Sequence, residues 1–536
     1  VASPMDAVNT AVGVTGGASS PGGSPAAGDL LAGYPVVPLD EAVDDRGAVR
    51  APYQPIVQAL QSTGLDGIRA AAADLDRHRA ASGITFIADV DGELVEQPFP
   101  LDPVPRLLSA ADWSAIETGV RQRTRALNAF LADVYAVDRG RPDAGDGEQA
   151  DIVRAGLMPA TVISSCPGYL PAAADLAPGR AARATVLGFD LVHGPDGTWR
   201  VLEDNLRVPS GLGYAVANRR TAAATLPMLH PWPGLRSPEE VGTALLTALQ
   251  AARPPRCPRD VAEVAVLSDG PANSAWFEHR LLAELMGVPV VTPADLHGDD
   301  HGVRATVDGQ SRPIDVLYRR LGDDEIAVVP DDPAVVALSA ATRELLVTAA
   351  RAGTLALANA PGTGVADDKA LYAFVPTMIH FYLGENPAIA DVGTWVLSDP
   401  AQYAGVRDRL AELVVKPVDG SGGAGVMIGP EMTAADHRRM RRVVDAAPER
   451  FIAQEVIRFS THPTVRSEGL RPRHVDLRVF ALDGSVAAGP GDGPPDGAAI
   501  VVPPVALSRV ALESEGLVVN SSRGGGSKDT WLIADR

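Results

Sequence analysis

The chain reads as an α/β protein with α+β elements, and three stretches carry that reading. After a proline-rich joint, RPPRCPR at residues 253–259, the segments VAEVAVLSDG, Trp276 to Met286, VPVVTPADL and IDVLYRRL run strand, helix, strand, strand. That alternation predicts a small parallel α/β unit. Upstream, Trp113, Ile116, Val120, Leu127, Phe130, Leu131 and Val134 recur at three- and four-residue steps, which predicts a helix over about 110–136. Finally, ATVLGFDLVHGPDGTWRVLEDNLRVPSG (184–211) sets two apolar strands around Asp196-Gly197, a strong hairpin signal.

The remaining elements follow in order. Residues 1–30 are small, polar and rich in Gly, Ser and Pro, with too little apolar surface to offset the entropy of ordering, and read as a flexible tail. A helical pattern covers about 56–84, Arg139 to Gly147 reads as a surface loop, and strands are expected from there to about Gly213. Helical pattern returns over about 236–252, and beyond about 355 short strands, helices and Gly-rich loops alternate. Four regions result: the tail, 31–255, 256–325 and 326–536.

Composition excludes several function classes. With 536 residues, 46% hydrophobic and 21% charged, the chain has ordinary globular composition, and 53 Gly with 45 Pro imply many tight turns. A net charge of −20 disfavours a general phosphate-backbone binder, so no nucleic-acid partner is expected. Cys166 and Cys257 alone cannot build a disulfide framework or a cysteine zinc site. No apolar run is long enough to span a bilayer, and the first residues lack a secretory pattern, so a cytoplasmic protein without membrane association is expected.

The first chemistry-bearing segment is LVVKPVDGSGGAGVMIGP (413–430). Gly420, Gly422 and Gly425 match the GxGxxG dinucleotide pattern, yet no helix follows them, which counts against a nicotinamide oxidoreductase. A strand carrying Lys416, a glycine loop and an antiparallel strand describes the segment better. Gly420, Ser421, Gly422, Gly423 and Gly425 can lay backbone N–H groups over a polyphosphate, with Lys416 as a point charge beside it. A plain hairpin with a glycine turn is the bland alternative. FIAQEVI (451–457) ends in Gln454-Glu455, suited to offering backbone groups to a base and a carboxylate to a ribose.

In the 184–211 hairpin, counting outward from a two-residue turn at Asp196-Gly197 sets Asp190 opposite Glu203, with Asn205 on the same face. Facing carboxylates repel, and a bridging cation would offset that repulsion. An all-oxygen set of Asp190, Glu203 and Asn205 suits Mg²⁺. A solvated acidic edge is the alternative. RPRHVDLRVFAL (471–482) places His474, Asp476 and Arg478 on one face, where Arg478 could meet a transferring phosphoryl group. NSSRGGGSKDTW (520–531) adds a polar glycine loop with Arg523 and Lys528.

Together, Lys369 in DDKALYAF, Lys416, Gln454-Glu455, DLRVF and NSSRGGG resemble the successive nucleotide motifs of an ATP-grasp enzyme. The Asp…Glu-x-Asn element, which closes that series in the ordinary order, comes first here. The rotated order, with QRTRALNAFLADVY, LEDNLRVPSG, LSDGPANSAWFEH and NAPGTGVADDK, resembles the circularly permuted type 2 ATP-grasp family over about residues 90–535. The resemblance implies a Rossmann-like pre-ATP-grasp unit near 260–325 and a grasp body assembled from both ends of the chain. It further implies an ATP site like that of glutathionylspermidine synthase, two Mg²⁺ ions with Mn²⁺ as an alternative, and ADP-forming ligation of a small-molecule or peptide carboxylate to an amine. Lys369 and Lys416 would hold the α- and β-phosphates and Arg478 the transferred group, while Arg207, Arg219 or Arg523 would pair with the acceptor carboxylate. Asp204, between Glu203 and Asn205, would point away from the metal. A non-catalytic ATP sensor and a small-molecule kinase are the alternative functions, and a protein partner is left open.

Overall fold

A mixed nine-stranded sheet forms the centre of the molecule. The computed structural model describes residues 30–90, 93–136, 149–177, 182–326, 338–418, 425–485, 499–511 and 526–533. The sheet runs Ala390–Asp391, Trp199–Asn205, Val186–His193, Gly469–Asp483, Ala506–Val510, Gly526–Leu532 and Leu101–Leu108, with Thr461–Arg466 and Ile500–Val501 pairing along the long Gly469–Asp483 strand. It therefore joins strands from both ends of the chain side by side.

The alternation along these strands explains where the cores and the cleft lie. Leu187, Phe189 and Leu191, with Leu477, Val479 and Ala481, face one side and pack with Ile116, Val120, Leu127 and Phe130 of the helix Ala110–Val134. That helix starts where Ser109 accepts a hydrogen bond from the Asp112 backbone N–H, a standard N-terminal cap. On the opposite face, Val186, Phe480 and Leu482 pack with Leu212, Val216 and Leu245. Two steps further along that second face the residues become Gly188 and Asp190 on one strand and Arg478 and Asp476 on the next, so the sheet passes from core to polar site without changing face.

A second sheet is wholly parallel, in the order Ala356–Ala358, Val316–Arg319, Val264–Leu267, Val290–Val291. The helix Trp276–Met286 follows Val264–Leu267, as the alternation predicts, and a fourth strand comes from 356–358, beyond residue 325. A smaller antiparallel sheet, Thr394–Val396, Phe451–Glu455, Leu413–Pro417 and Met427–Ile428, is covered by the helix Ala434–Ala446 through Met440 and Val444. Among the described residues no helix is long and apolar enough to cross a membrane.

Two expectations fail. Residues 151–176 are short helices, not strands, because Asp133 accepts hydrogen bonds from the Asp151 and Ile152 N–H groups and starts a helical turn there. VPVVTPADL is strand only at Val290–Val291 and at its last residue, Leu296, since Thr292 and Asp295 form a capping box that turns the chain into a short 3₁₀ helix between them. The tail and Arg139 to Gly147 lie outside the described residues.

Candidate active site

The hairpin Val186–His193/Trp199–Asn205 pairs Asp190 with Glu203 and Gly188 with Asn205. It does so through a different turn from the one expected. Gly194 N–H donates to Thr198 O at 3.0 Å, leaving Pro195, Asp196 and a left-handed Gly197 (φ 72°) as a three-residue loop. Leu191 then pairs with Val201, and Leu202 is bulged out before Glu203.

The repulsion between the two carboxylates is answered by side chains. Arg478, directly across from Asp190 on the neighbouring strand, grips it at 2.6 Å (Nε to Oδ1) and 2.8 Å (Nη2 to Oδ2). Arg509 adds a 2.8 Å contact from Nη2 to Asp190 Oδ2 and also binds Asp476. Burial pushes the Asp190 carboxyl up, and the charges of Arg478 and Arg509 outweigh it, holding it well below the usual carboxylate range. Asp476, behind them, is raised by burial. Lys369 Nζ lies 3.2 Å from Glu203 Oε1. The offset that sequence reasoning assigned to a bridging metal is thus present in the protein's own cations.

Asp204 points to the other face, where Arg123 holds it at 2.6 and 2.7 Å and also reaches Asp391 at 2.6 Å. On the cleft side, Glu203 keeps 34% of its side chain exposed and Asn205 has a buried amide nitrogen without a partner. This donor set, a carboxylate and an amide oxygen on one face, fits a hard divalent ion that takes its other ligands from phosphate and water. Asp190 differs, because both its oxygens are engaged by arginine. Among the described residues no three His, Cys, Asp or Glu side chains are grouped to hold a metal by themselves.

Lys416 projects from Leu413–Pro417 toward this cluster and donates to Gln454 Oε1 at 2.6 Å. Gln454 in turn donates to Thr394 Oγ1 at 3.0 Å, so its side chain positions the lysine. Burial pushes the Lys416 ammonium down to about 8, with Lys369 pushing the same way and Glu203 and Asp190 opposing. Glu455 is exposed, its N–H donating to Gly393 O. Lys369 opens a short helix capped by Asp368, which accepts from the Ala370 and Leu371 N–H groups. Gly425 is left-handed at φ 71°, whereas Gly420, Ser421, Gly422 and Gly423 lie outside the described residues.

The segment after the hairpin, 206–213, is held from three sides. Gly188 has no side chain where Pro209 packs, and a Cβ there would stand 3.1 Å from Pro209 Cβ. Arg320 donates to Pro209 O at 2.8 Å and Arg478 to Ser210 O at 3.1 Å. The Gly211 and Gly213 N–H groups donate to the buried Glu278 at 2.7 and 2.9 Å. Asp367 accepts from the Leu206 and Arg207 N–H groups, and burial pushes its carboxyl up to about 7. Arg207 is exposed, with its Cδ beside Gly364.

Two residues go elsewhere. Arg219 is committed to Asp529 at 2.8 Å, away from solvent. Lys528 belongs to a strand rather than a loop and is buried, bound to Asp102 at 2.5 Å and to Pro463 O at 2.8 Å. Arg523 lies outside the described residues. Arg509, Asp367, Glu278 and Arg320 were missed by sequence reasoning. Arg509 sits in the short strand Ala506–Val510, whose sequence ALSRV carries no alternation that could have marked it.

Comparison with known proteins decides the family. The model of the circularly permuted ATP-grasp type 2 family matches residues 105–511. The chain belongs to this family. Within it, a Frankia alni protein named "Putative glutamate--cysteine ligase 2-3" is 45% identical over 504 residues, covering 94% of this chain and 54% of that protein. A second, from Frankia casuarinae and named "Putative glutamate--cysteine ligase 2-2", is 43% identical over 94% of this chain and 54% of its own length. The chain thus spans about half the length of these curated relatives. An uncharacterized Mycobacterium tuberculosis protein is 41% identical over 93% of this chain and 84% of its own. Among solved structures, an apo glutathione synthetase-like effector from Globodera pallida shares the fold, with a TM-score of 0.53, 12% identity, and coverage of 88% of this chain and 98% of that one. The permuted ATP-grasp family implies use of ATP, and the polar face between the large mixed sheet and the small antiparallel sheet is where this chain gathers its cations and carboxylates.

Proposed function

We propose that the chain is an ADP-forming carboxylate–amine ligase. The observation that carries this reading is the convergence of Lys369, Lys416, Arg478, Glu203 and Asn205 on one cleft of a permuted ATP-grasp protein. The names of the two Frankia relatives support amino-acid substrates, with glutamate as the carboxylate and cysteine as the amine.

Lys416 and Lys369 hold the α- and β-phosphates of ATP. Glu203 and Asn205 would hold Mg²⁺, which when bound screens the charge of the β- and γ-phosphates. The substrate carboxylate oxygen attacks the γ-phosphorus, the bond to the β,γ-bridging oxygen breaks, and ADP leaves an acyl phosphate. Arg478 stabilises the charge on the group in transit. The amine nitrogen then attacks the acyl carbon, inorganic phosphate departs with the C–O bond electrons, and the nitrogen loses a proton. Arg207, exposed at the mouth of the site, pairs with a substrate carboxylate.

The test is ADP release with mixtures of amino acids, with mass analysis of the product. Wild type should yield an amide plus phosphate, and Lys416→Ala and Glu203→Ala should abolish turnover while the proteins stay folded. Full activity in both variants sinks the assignment. A stable phosphorylated product would make the protein a kinase, and ATP binding without turnover would make it a sensor.

A further inference from the structure

Where the strand Trp199–Asn205 carries Glu203 and Asn205, it is paired along one side only. The edge strand Ala390–Asp391 meets Arg200 and Val201 and goes no further, while Glu203, Asp204 and Asn205 pair with Asp190, Phe189 and Gly188 on the other side. The bulge at Leu202 falls just where the outer pairing stops. A bulged, half-paired strand end is a poor platform for two side chains that must converge on one ion. A guanidinium stands where the missing strand would be. Arg123, its side chain fully buried, binds both oxygens of Asp204 at 2.6 and 2.7 Å and Asp391 at 2.6 Å. Its guanidinium carbon lies 5.3 Å from the centre of the Tyr372 ring. The Tyr372 hydroxyl donates to Val201 O at 2.6 Å and accepts from the Val392 N–H at 2.8 Å, and Tyr372 closes the short helix that Lys369 opens. Arg123 comes from the middle of the helix Ala110–Val134. Its neighbour Gln122 accepts the Ala388 N–H at 2.7 Å and donates to Asn386 O at 2.9 Å, which ties that helix to the edge strand.

We propose that Arg123 is a positioning residue which, by gripping Asp204 from behind, sets the aim of Glu203 and Asn205 on a divalent ion. The inference rests on the reading of the cleft as a metal–nucleotide site. Side chains alternate along a strand, so a carboxylate drawn inward at position 204 turns its two neighbours toward the cleft. A guanidinium fork fixes a carboxylate in both plane and distance, which the point charge of an ammonium does not. Stability alone does not call for such a triad, because apolar side chains of similar volume commonly serve a core as well as a buried ion cluster does. What the charges supply here is one geometry. Groups standing directly behind metal ligands commonly carry about ten- to a hundredfold of metal affinity.

Titration of the full chain with Mn²⁺ in the presence of the non-hydrolysable analogue adenylyl imidodiphosphate, with free Mn²⁺ followed by electron paramagnetic resonance, tests this. Arg123→Lys keeps a positive charge beside both acids but loses the fork, and should weaken Mn²⁺ binding about tenfold. Glu203→Gln should cost about tenfold or more in the wild-type background and only about two- to threefold in the Arg123→Lys background, because the misaimed ligand has already lost most of its effect. Full, additive losses in the double variant would mean that Arg123 acts on the fold at large, and would overturn the proposal. So would Mn²⁺ affinity within about twofold of wild type in Arg123→Lys. If Arg123→Lys does not fold, the triple variant Arg123→Met, Asp204→Val, Asp391→Val leaves no buried charge behind and decides by the same two measurements: it should unfold near the wild-type temperature yet bind Mn²⁺ about tenfold more weakly. Wild type that binds neither Mn²⁺ nor the analogue would refute the metal–nucleotide site itself, and the role of Arg123 with it.

Discussion

Lys416 offers a quantitative test of the nucleotide site. Burial holds its ammonium at about 8 against an ordinary value of 10.5, so keeping it charged in the free protein costs about 3 kcal/mol. A polyphosphate laid against Nζ would restore the ordinary value, so above pH 8 binding must take up a proton. The apparent dissociation constant for Mg²⁺·ATP should then grow with pH, by about eightfold between pH 7.5 and 9.0. Lys416→Met should bind more weakly and show a flat profile over the same range. Calorimetric titration at four pH values in buffers of different ionisation enthalpy measures both the affinity and the proton uptake. The stability of the free protein should move the opposite way. Because the unfolded chain keeps this proton to higher pH than the folded one, the contribution of Lys416 to stability rises between about pH 8 and 10.5. Wild-type affinity independent of pH, or an equal slope in Lys416→Met, would refute a phosphate contact by this lysine.

Four other substitutions test the framework of the site. Arg123→Met leaves Asp204 and Asp391 buried without their shared cation, and should lower stability by about 3–5 kcal/mol in urea denaturation; an unchanged midpoint would mean that the triad is not closed in solution. Gly168→Ala puts a Cβ 2.3 Å from the Gly364 backbone and should cost about 1–3 kcal/mol or more, whereas at Gly364 the nearest atom is Arg207 Cδ at 3.2 Å, which can move, so Gly364→Ala should be milder in thermal unfolding. Lys528→Met strands Asp102 in the core and should destabilise the fold while leaving nucleotide affinity unchanged; weaker nucleotide binding in a protein of normal stability would return Lys528 to the site.

What could be read from the sequence was whatever local periodicity dictates. The apolar steps from Trp113 to Val134 correspond to the helix Ala110–Val134, and the alternation in RPRHVDLRVFAL corresponds to a strand with Val475, Leu477 and Val479 buried. Misreadings arose where a long-range partner overrides the local pattern. Lys528 and Arg523 share a loop-like, Gly-rich stretch, yet Lys528 is drawn into a strand by Asp102, more than four hundred residues earlier in the chain. Glu278 gives no local signal, because its function is to accept the N–H groups of Gly211 and Gly213 from another region. Arg509 was missed for the same reason: its significance comes from standing opposite Asp476, a register that intervening loops set.

The hairpin shows how a correct pairing can follow from an incorrect turn. Twelve residues separate Asp190 from Glu203, an even number that a two-residue turn divides equally. The chain instead uses three residues in the loop, because Gly197 is left-handed and Gly194 closes onto Thr198. Nine residues then remain, an odd number, and in an unbroken ladder the two carboxylates could not stand opposite each other. The bulge at Leu202 removes the odd residue and restores the pairing. A bulge also sharpens the local twist, and this one lies immediately before Glu203, where the strand leaves the core for the cleft. The irregularity that the sequence count did not foresee is therefore what brings Glu203 opposite Asp190, while its own strand continues to Asp204, turned inward to Arg123, and Asn205, turned toward the cleft.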